Sequence, residues 1–121
     1  MNKDQIKMLE AIAQTIYDRK GYNILAIDLR EVSSMANFFV VAEGAVERHV
    51  QALSREVTDK IEELGYKVLY IEGEREGDWI AIDCGEVMIH LMTPEMREKY
   101  ALEQVWKDGK LLELNIKKEN E

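Results

Sequence analysis

The sequence predicts an α/β fold: a single layered domain in which a mixed β-sheet carries helices on both faces. Three observations predict it. Two segments repeat apolar residues at helical spacing, Ile6, Leu9, Ile12, Ala13, Ile16 and Tyr17 in the first and Val46, Val50, Leu53, Val57, Ile61 and Leu64 in the second. Short runs such as NILAIDL (23–29) and FFVVA (38–42) are apolar on both faces, as strands covered on both sides are. Finally, residues 79–84 and 87–92 alternate around Gly85-Glu86, the pattern of a β-hairpin with a two-residue turn. With 121 residues the chain can bury one core, and no linker or repeat divides it.

Taken in order, residues 2–20 read as an amphipathic helix ended by Gly21. Strand 23–29 is interrupted by Asp28, and a polar connection with Ser33, Ser34 and Asn37 leads to strand 38–42. Glu43-Gly44 opens a long helix over 45–64, closed by Gly65, and 66–71 forms a third strand. In the hairpin, side-chain parity puts Ile80, Ile82, Cys84, Val87, Ile89 and Leu91 on one face and Trp79, Ala81, Asp83, Met88, His90 and Met92 on the other. Thr93 as N-cap and Pro94 at the first helical position start a last helix that runs on through Arg97, Tyr100, Leu102 and Trp106. The domain is drawn at 1–107. Residues 108–121 form a C-terminal tail whose Leu111, Leu112, Leu114 and Ile116 dock locally and whose end is disordered.

The formal net charge of −8 argues against a nucleic-acid-binding surface, whose affinity comes chiefly from Lys and Arg neutralising phosphates. A basic partner is the better match. The one cysteine, Cys84, rules out an internal disulfide and a multi-cysteine zinc site. His49 has no further donors at ligand spacing, and there is neither a P-loop nor G-x-G-x-x-G, so no metal and no cofactor are expected. Apolar runs fall far short of the ~20 residues of a membrane span, and the N-terminal residues lack a signal-peptide apolar region, which places the chain in the cytoplasm.

Cys84, His90 and Asp83 invite a nucleophilic reading that parity defeats, because Cys84 projects away from the other two. Asp83 and His90 are diagonal neighbours, about 7–8 Å apart at Cα, close enough for a structural polar contact under a helix. A nucleotide-handling enzyme using Asp28, Asp83 and His90 is the alternative function, although no second carboxylate stands at the alternating positions. What remains is a protein-binding surface: Trp79, Met92, Tyr100, Leu102 and Trp106 are interface-type residues beside the acidic Glu95, Glu98, Glu103 and Asp108.

These residues fall within ordered blocks: Asp28-Leu29-Arg30, Ser33-Ser34, Asn37-Phe38-Phe39-Val40, Gly44 with Arg48-His49-Val50, Glu72-Gly73, Asp78-Trp79, Asp83-x-Gly85, His90, and Arg97-x-x-Tyr100-x-Leu102-Glu103-x-x-Trp106. Over 6–106 they resemble the ribosomal silencing factors, or Iojap-like proteins. The resemblance implies a nucleotidyltransferase-like topology without the transferase residues, and hence no enzyme. It implies a translational repressor that binds the large ribosomal subunit through ribosomal protein uL-fourteen and blocks joining with the small subunit when nutrients are short. It places the partner-binding residues at Trp79, Asp83, His90, Tyr100, Leu102 and Trp106, with Met92 added from the hairpin face. Such proteins are often homodimers. This chain departs from the family at Glu43, where Ser or Thr is usual, and at Cys84, where an aromatic is.

Overall fold

The computed structural model describes residues 3–34, 36–101, 104 and 107–118. In chain order its elements are α1 (Lys3–Asp18), β1 (Tyr22–Asp28), β2 (Phe38–Glu43), α2 (Glu47–Glu63), β3 (Tyr70–Glu72), β4 (Trp79–Asp83), β5 (Val87–Met92), α3 (Pro94–Tyr100) and β6 (Lys110–Leu112). The strands form one sheet in the order β3-β4-β5-β2-β1-β6. The central β2–β5 pair is parallel and the other pairs are antiparallel. This is the mixed sheet that the sequence predicts.

Register sorts the sheet into two unlike faces. On the first, Ala26, Phe38, Val40, Ala42, Ile80, Ile82, Val87, Ile89 and Leu91 meet the buried stripes of α1 (Leu9, Ile12, Ile16) and α2 (Val50, Leu53, Val57, Ile61) in the main core. On the second, Ile27, Phe39, Val41 and Met92 form a smaller cluster with Leu29 and Ala36, covered in part by Met96 of α3. Helices therefore lie on both faces, but unequally. Both long ones share one face, and on the other the described residues place a seven-residue helix, α3.

The β4–β5 hairpin adopts the expected register, with Trp79 opposite Met92, Ala81 opposite His90 and Asp83 opposite Met88. Gly85 has φ +86°, and the Cys84 N–H donates to the Val87 carbonyl at 2.9 Å, closing a primed turn. Helix α2 begins later than the periodicity predicts, at Glu47; Val46 is its extended N-cap and Leu64 its C-cap, and both are exposed rather than buried. The Val46 side chain is apolar and makes no cap hydrogen bond. His49 instead fixes the chain entering the helix, accepting the Ala45 N–H on Nδ1 at 3.0 Å while its Nε2 bonds the Arg19 carbonyl at 2.8 Å.

Two departures concern the C-terminal third. Helix α3 does not run from Thr93 through Trp106; it stops at Tyr100, where Ala101 turns left-handed (φ 43°) and its N–H caps on the Arg97 carbonyl. Thr93 makes no side-chain cap bond. Residues 110–112, expected only as part of a docking tail, form strand β6 against β1. Beyond them the chain follows α1, with the Asn115 N–H donating to Glu10 Oε2 and the Lys117 N–H to Gln14 Oε1, each at 2.7 Å. The expected disorder of the tail's end falls on residues 119–121, outside the described residues.

Candidate functional site

The hairpin alternation that buries Ile80, Ile82 and Ile89 turns Trp79, Asp83, Met88 and His90 to the thinly covered face. There a row of rings crosses the sheet. Phe39 on β2 lies 4.8 Å from His90 on β5, His90 5.9 Å from Trp79 on β4, and Trp79 4.9 Å from Tyr100 at the end of α3, all tilted. Such offset contacts add to the area the rings bury. The row rises from core to solvent: Phe39 is buried, Trp79 half-buried and Tyr100 44 % exposed.

His90 is the hinge of this row. Trp79 Nε1–H donates to its Nδ1 at 2.9 Å, so the neutral ring holds its proton on Nε2, which has no hydrogen-bond partner among the described residues. Burial pushes its pKa down to about 4. The expected Asp83–His90 contact is not formed. Asp83 Oδ1 instead accepts the Gly85 N–H at 2.8 Å and holds the hairpin turn, while the indole of Trp79, on the opposite diagonal, reaches His90 first.

The charging of His90 gives a pH-dependent stability. The folded ring binds its proton less readily than the unfolded one, so the stabilisation is complete above the ordinary pKa of 6.5 and is lost as pH falls through 6.5 towards 4. The loss is on the order of 3 kcal/mol. Urea unfolding at pH 7.5 and 4.5 should show a larger drop for the native chain than for His90→Phe; equal drops would remove His90 as the cause.

Met92 is fully buried, so it supports the row from beneath and offers no surface. Leu102 and Trp106 lie outside the described residues. The enzyme constellation does not assemble. Asp28 pairs with Phe38 on the face of the main core, whereas Asp83 lies on the opposite face with β5 and β2 between. Asp28 is occupied by Arg30, whose Nη2 donates at 2.8 Å and whose hydrogen bonds hold the carboxyl below its ordinary pKa. Cys84 packs on the main core, and burial together with the Asp83 charge pushes its thiol up to about 11, far from a nucleophile.

One buried pair is not announced as a pair by the sequence. Glu43 is buried and accepts Asn23 Nδ2–H at 3.0 Å and Arg97 Nη1–H at 3.2 Å; the same guanidinium nitrogen donates to the Asn23 carbonyl. This clasp ties α3 to the ends of β1 and β2, and so sets where Tyr100 meets Trp79. Fifty-four positions separate Glu43 and Arg97, and no local pattern announces them.

Among the described residues the structure is a single-sheet α/β domain in which one face carries a row of rings that reaches solvent at Tyr100, and the reactive side chains Asp28, Asp83, Cys84 and His90 are not brought together. No helix among the described residues is long and apolar enough to cross a membrane. A family model described as ribosomal silencing factor during starvation, RsfS, matches residues 2–121. The ribosomal silencing factor RsfS of Bacillus subtilis is 33% identical over 113 residues, which cover 93% of this chain and 96% of that one. A crystal structure of a Chromobacterium violaceum protein superposes with a TM-score of 0.81 at 30% identity, covering 97% of this chain and 95% of that one. The mouse protein named mitochondrial assembly of ribosomal large subunit protein 1 is 28% identical over 101 residues, 81% of this chain and 44% of its own length. The chain belongs to the RsfS family of ribosomal silencing factors, a family of translational regulators.

Proposed function

We propose that this protein acts in the cytoplasm as a translational repressor that binds the large ribosomal subunit at ribosomal protein uL-fourteen and excludes the small subunit by occupying its docking surface. The observation that supports it most directly is the open aromatic row ending at Tyr100 on an acidic protein, a surface suited to a basic protein partner. Family membership and the large-subunit name of the mouse relative point the same way. Trp79, Asp83 and Tyr100 are the contact residues in this reading, and His90 and Met92 hold them from below; Leu102 and Trp106 are assigned to the contact by the family resemblance alone.

Co-sedimentation tests it. The purified protein should travel with isolated large subunits, more weakly as salt rises, and added small subunits should join fewer large ones as the protein is titrated in. Failure to travel with large subunits at low and moderate salt would end the reading. Tyr100→Ala should weaken large-subunit binding about 30-fold, the ~2 kcal/mol of an interface hot spot, while the chain stays folded and its stability falls by no more than the roughly 0.5–1.5 kcal/mol of the lost Trp79 contact. A variant that binds as well as the native chain would move the contact surface elsewhere.

A further inference from the structure

We propose that the cleft over the open face of β3–β5 is a receptor for one arginine side chain of the basic partner; that the partner is ribosomal rests on the reading above. The cleft encloses about 520 Å³ and is lined by the rings of Tyr70 and Trp79, the thioether of Met88 and the carboxylates of Glu72, Asp78 and Asp83. No lysine or arginine lines it among the described residues.

Each polar handle of the two rings already faces a neighbour. The Trp79 N–H is given to His90, and the neighbouring Glu72 carboxylate raises the pKa of the Tyr70 hydroxyl and keeps it a neutral phenol, so both rings offer an incoming cation chiefly π surface. The carboxylates are the reverse. Asp83 spends one oxygen on the Gly85 N–H, and neither its second oxygen nor the Asp78 carboxylate has a partner among the described residues. Negative charge without a counter-ion, set beside the exposed ring of Tyr70 and the part of the Trp79 ring that lines the cleft, fits a cation.

Three cations compete for that description. A metal ion needs three or more converging ligands, and no such group of His, Cys, Asp and Glu forms among the described residues. A lysine ammonium is compact and strongly hydrated, and gains little from ring faces. A guanidinium is planar, more weakly hydrated, stacks on aromatic faces and forks onto carboxylates, while its methylene stem packs on apolar atoms such as those of Met88. The chain's net charge of −8 adds attraction over a longer range.

The test uses the full chain, labelled with nitrogen-15, and the peptides acetyl-Gly-Arg-Gly-amide and acetyl-Gly-Lys-Gly-amide. The arginine peptide should move the Trp79 indole and Asp83 amide signals saturably, and the lysine peptide should bind about tenfold more weakly. Asp83→Asn with Asp78→Asn should weaken the arginine peptide at least ~tenfold. The amide introduced by Asp83→Asn keeps a carbonyl oxygen to accept the Gly85 N–H, so the turn retains its acceptor while the charges go; Glu72→Gln is the second variant if that pair fails to fold. Absent shifts, equal binding of both peptides, or an unaffected variant would each overturn the proposal. Large-subunit co-sedimentation separates the two ideas. If the native chain and the folded charge variant travel equally with large subunits, the cleft assignment falls and the ribosomal reading stands. If the peptide results are as expected but the native chain does not travel with large subunits, the cleft stands and the ribosomal reading falls.

Discussion

Arg97→Met is expected to destabilise the protein by about 3–5 kcal/mol, the cost of leaving one member of a buried ion pair uncompensated. Arg97 and Glu43 are both buried, and Asn23 supplies the second donor to the Glu43 carboxylate. Removing the guanidinium also strips the Asn23 carbonyl of a donor and frees α3 from the ends of β1 and β2. Urea unfolding measures the loss. The double variant Glu43→Leu with Arg97→Met should recover a large part of it, since buried ion pairs are often replaceable by apolar residues of similar volume. A single variant that loses less than about 1 kcal/mol would show that solvent reaches the pair and compensates the carboxylate.

Gly73→Ala is the second large effect, expected at roughly 2–5 kcal/mol from backbone strain and overpacking together. Gly73 has φ +85°, and a Cβ placed there would lie 2.0 Å from the Trp79 carbonyl oxygen, which is backbone and cannot rotate away. The turn is held on its other side by Gln51, whose Nε2–H₂ donates to the Glu74 carbonyl at 2.9 Å. Relief must therefore come from shifting the start of β4, which carries Trp79 and the wall of the cleft. Thermal or urea unfolding reads the stability, and the near-ultraviolet circular dichroism of the indole reads the displacement. A stability within about 0.5 kcal/mol of the native chain, the usual range of surface substitutions, would contradict the close approach.

How much of this is legible in the sequence depends on how local the cause is. The hairpin is readable to the residue because a two-residue turn fixes register, and register fixes which side chains share a face. That places Trp79, Asp83, Met88 and His90 together correctly. It does not say which diagonal pair will bond: Asp83 and Trp79 are both diagonal to His90, and the long indole wins while the short carboxylate turns to the Gly85 amide. The end of α3 is hidden because Ala101, not a glycine, takes the left-handed position. The Glu43–Arg97 clasp is hidden because it joins elements far apart in the chain. Strand β6 is hidden for a further reason. Lys110–Leu112 is three residues long, and its Leu111 is 69 % exposed, so it shows neither the length nor the burial pattern of a strand.

That short strand also sets the order in which the molecule can be completed. It pairs Ala26, Ile27 and Asp28 with Leu112, Leu111 and Lys110, partners more than eighty positions apart. During synthesis the outer edge of β1 is thus left with open backbone donors and acceptors until nearly the whole chain has been made. An unpaired edge is a template for other chains. A nascent or shortened form that ends before Lys110 would expose this edge, so its hazard is aggregation during manufacture as much as loss of stability, and a lengthy pause late in translation would prolong that exposure.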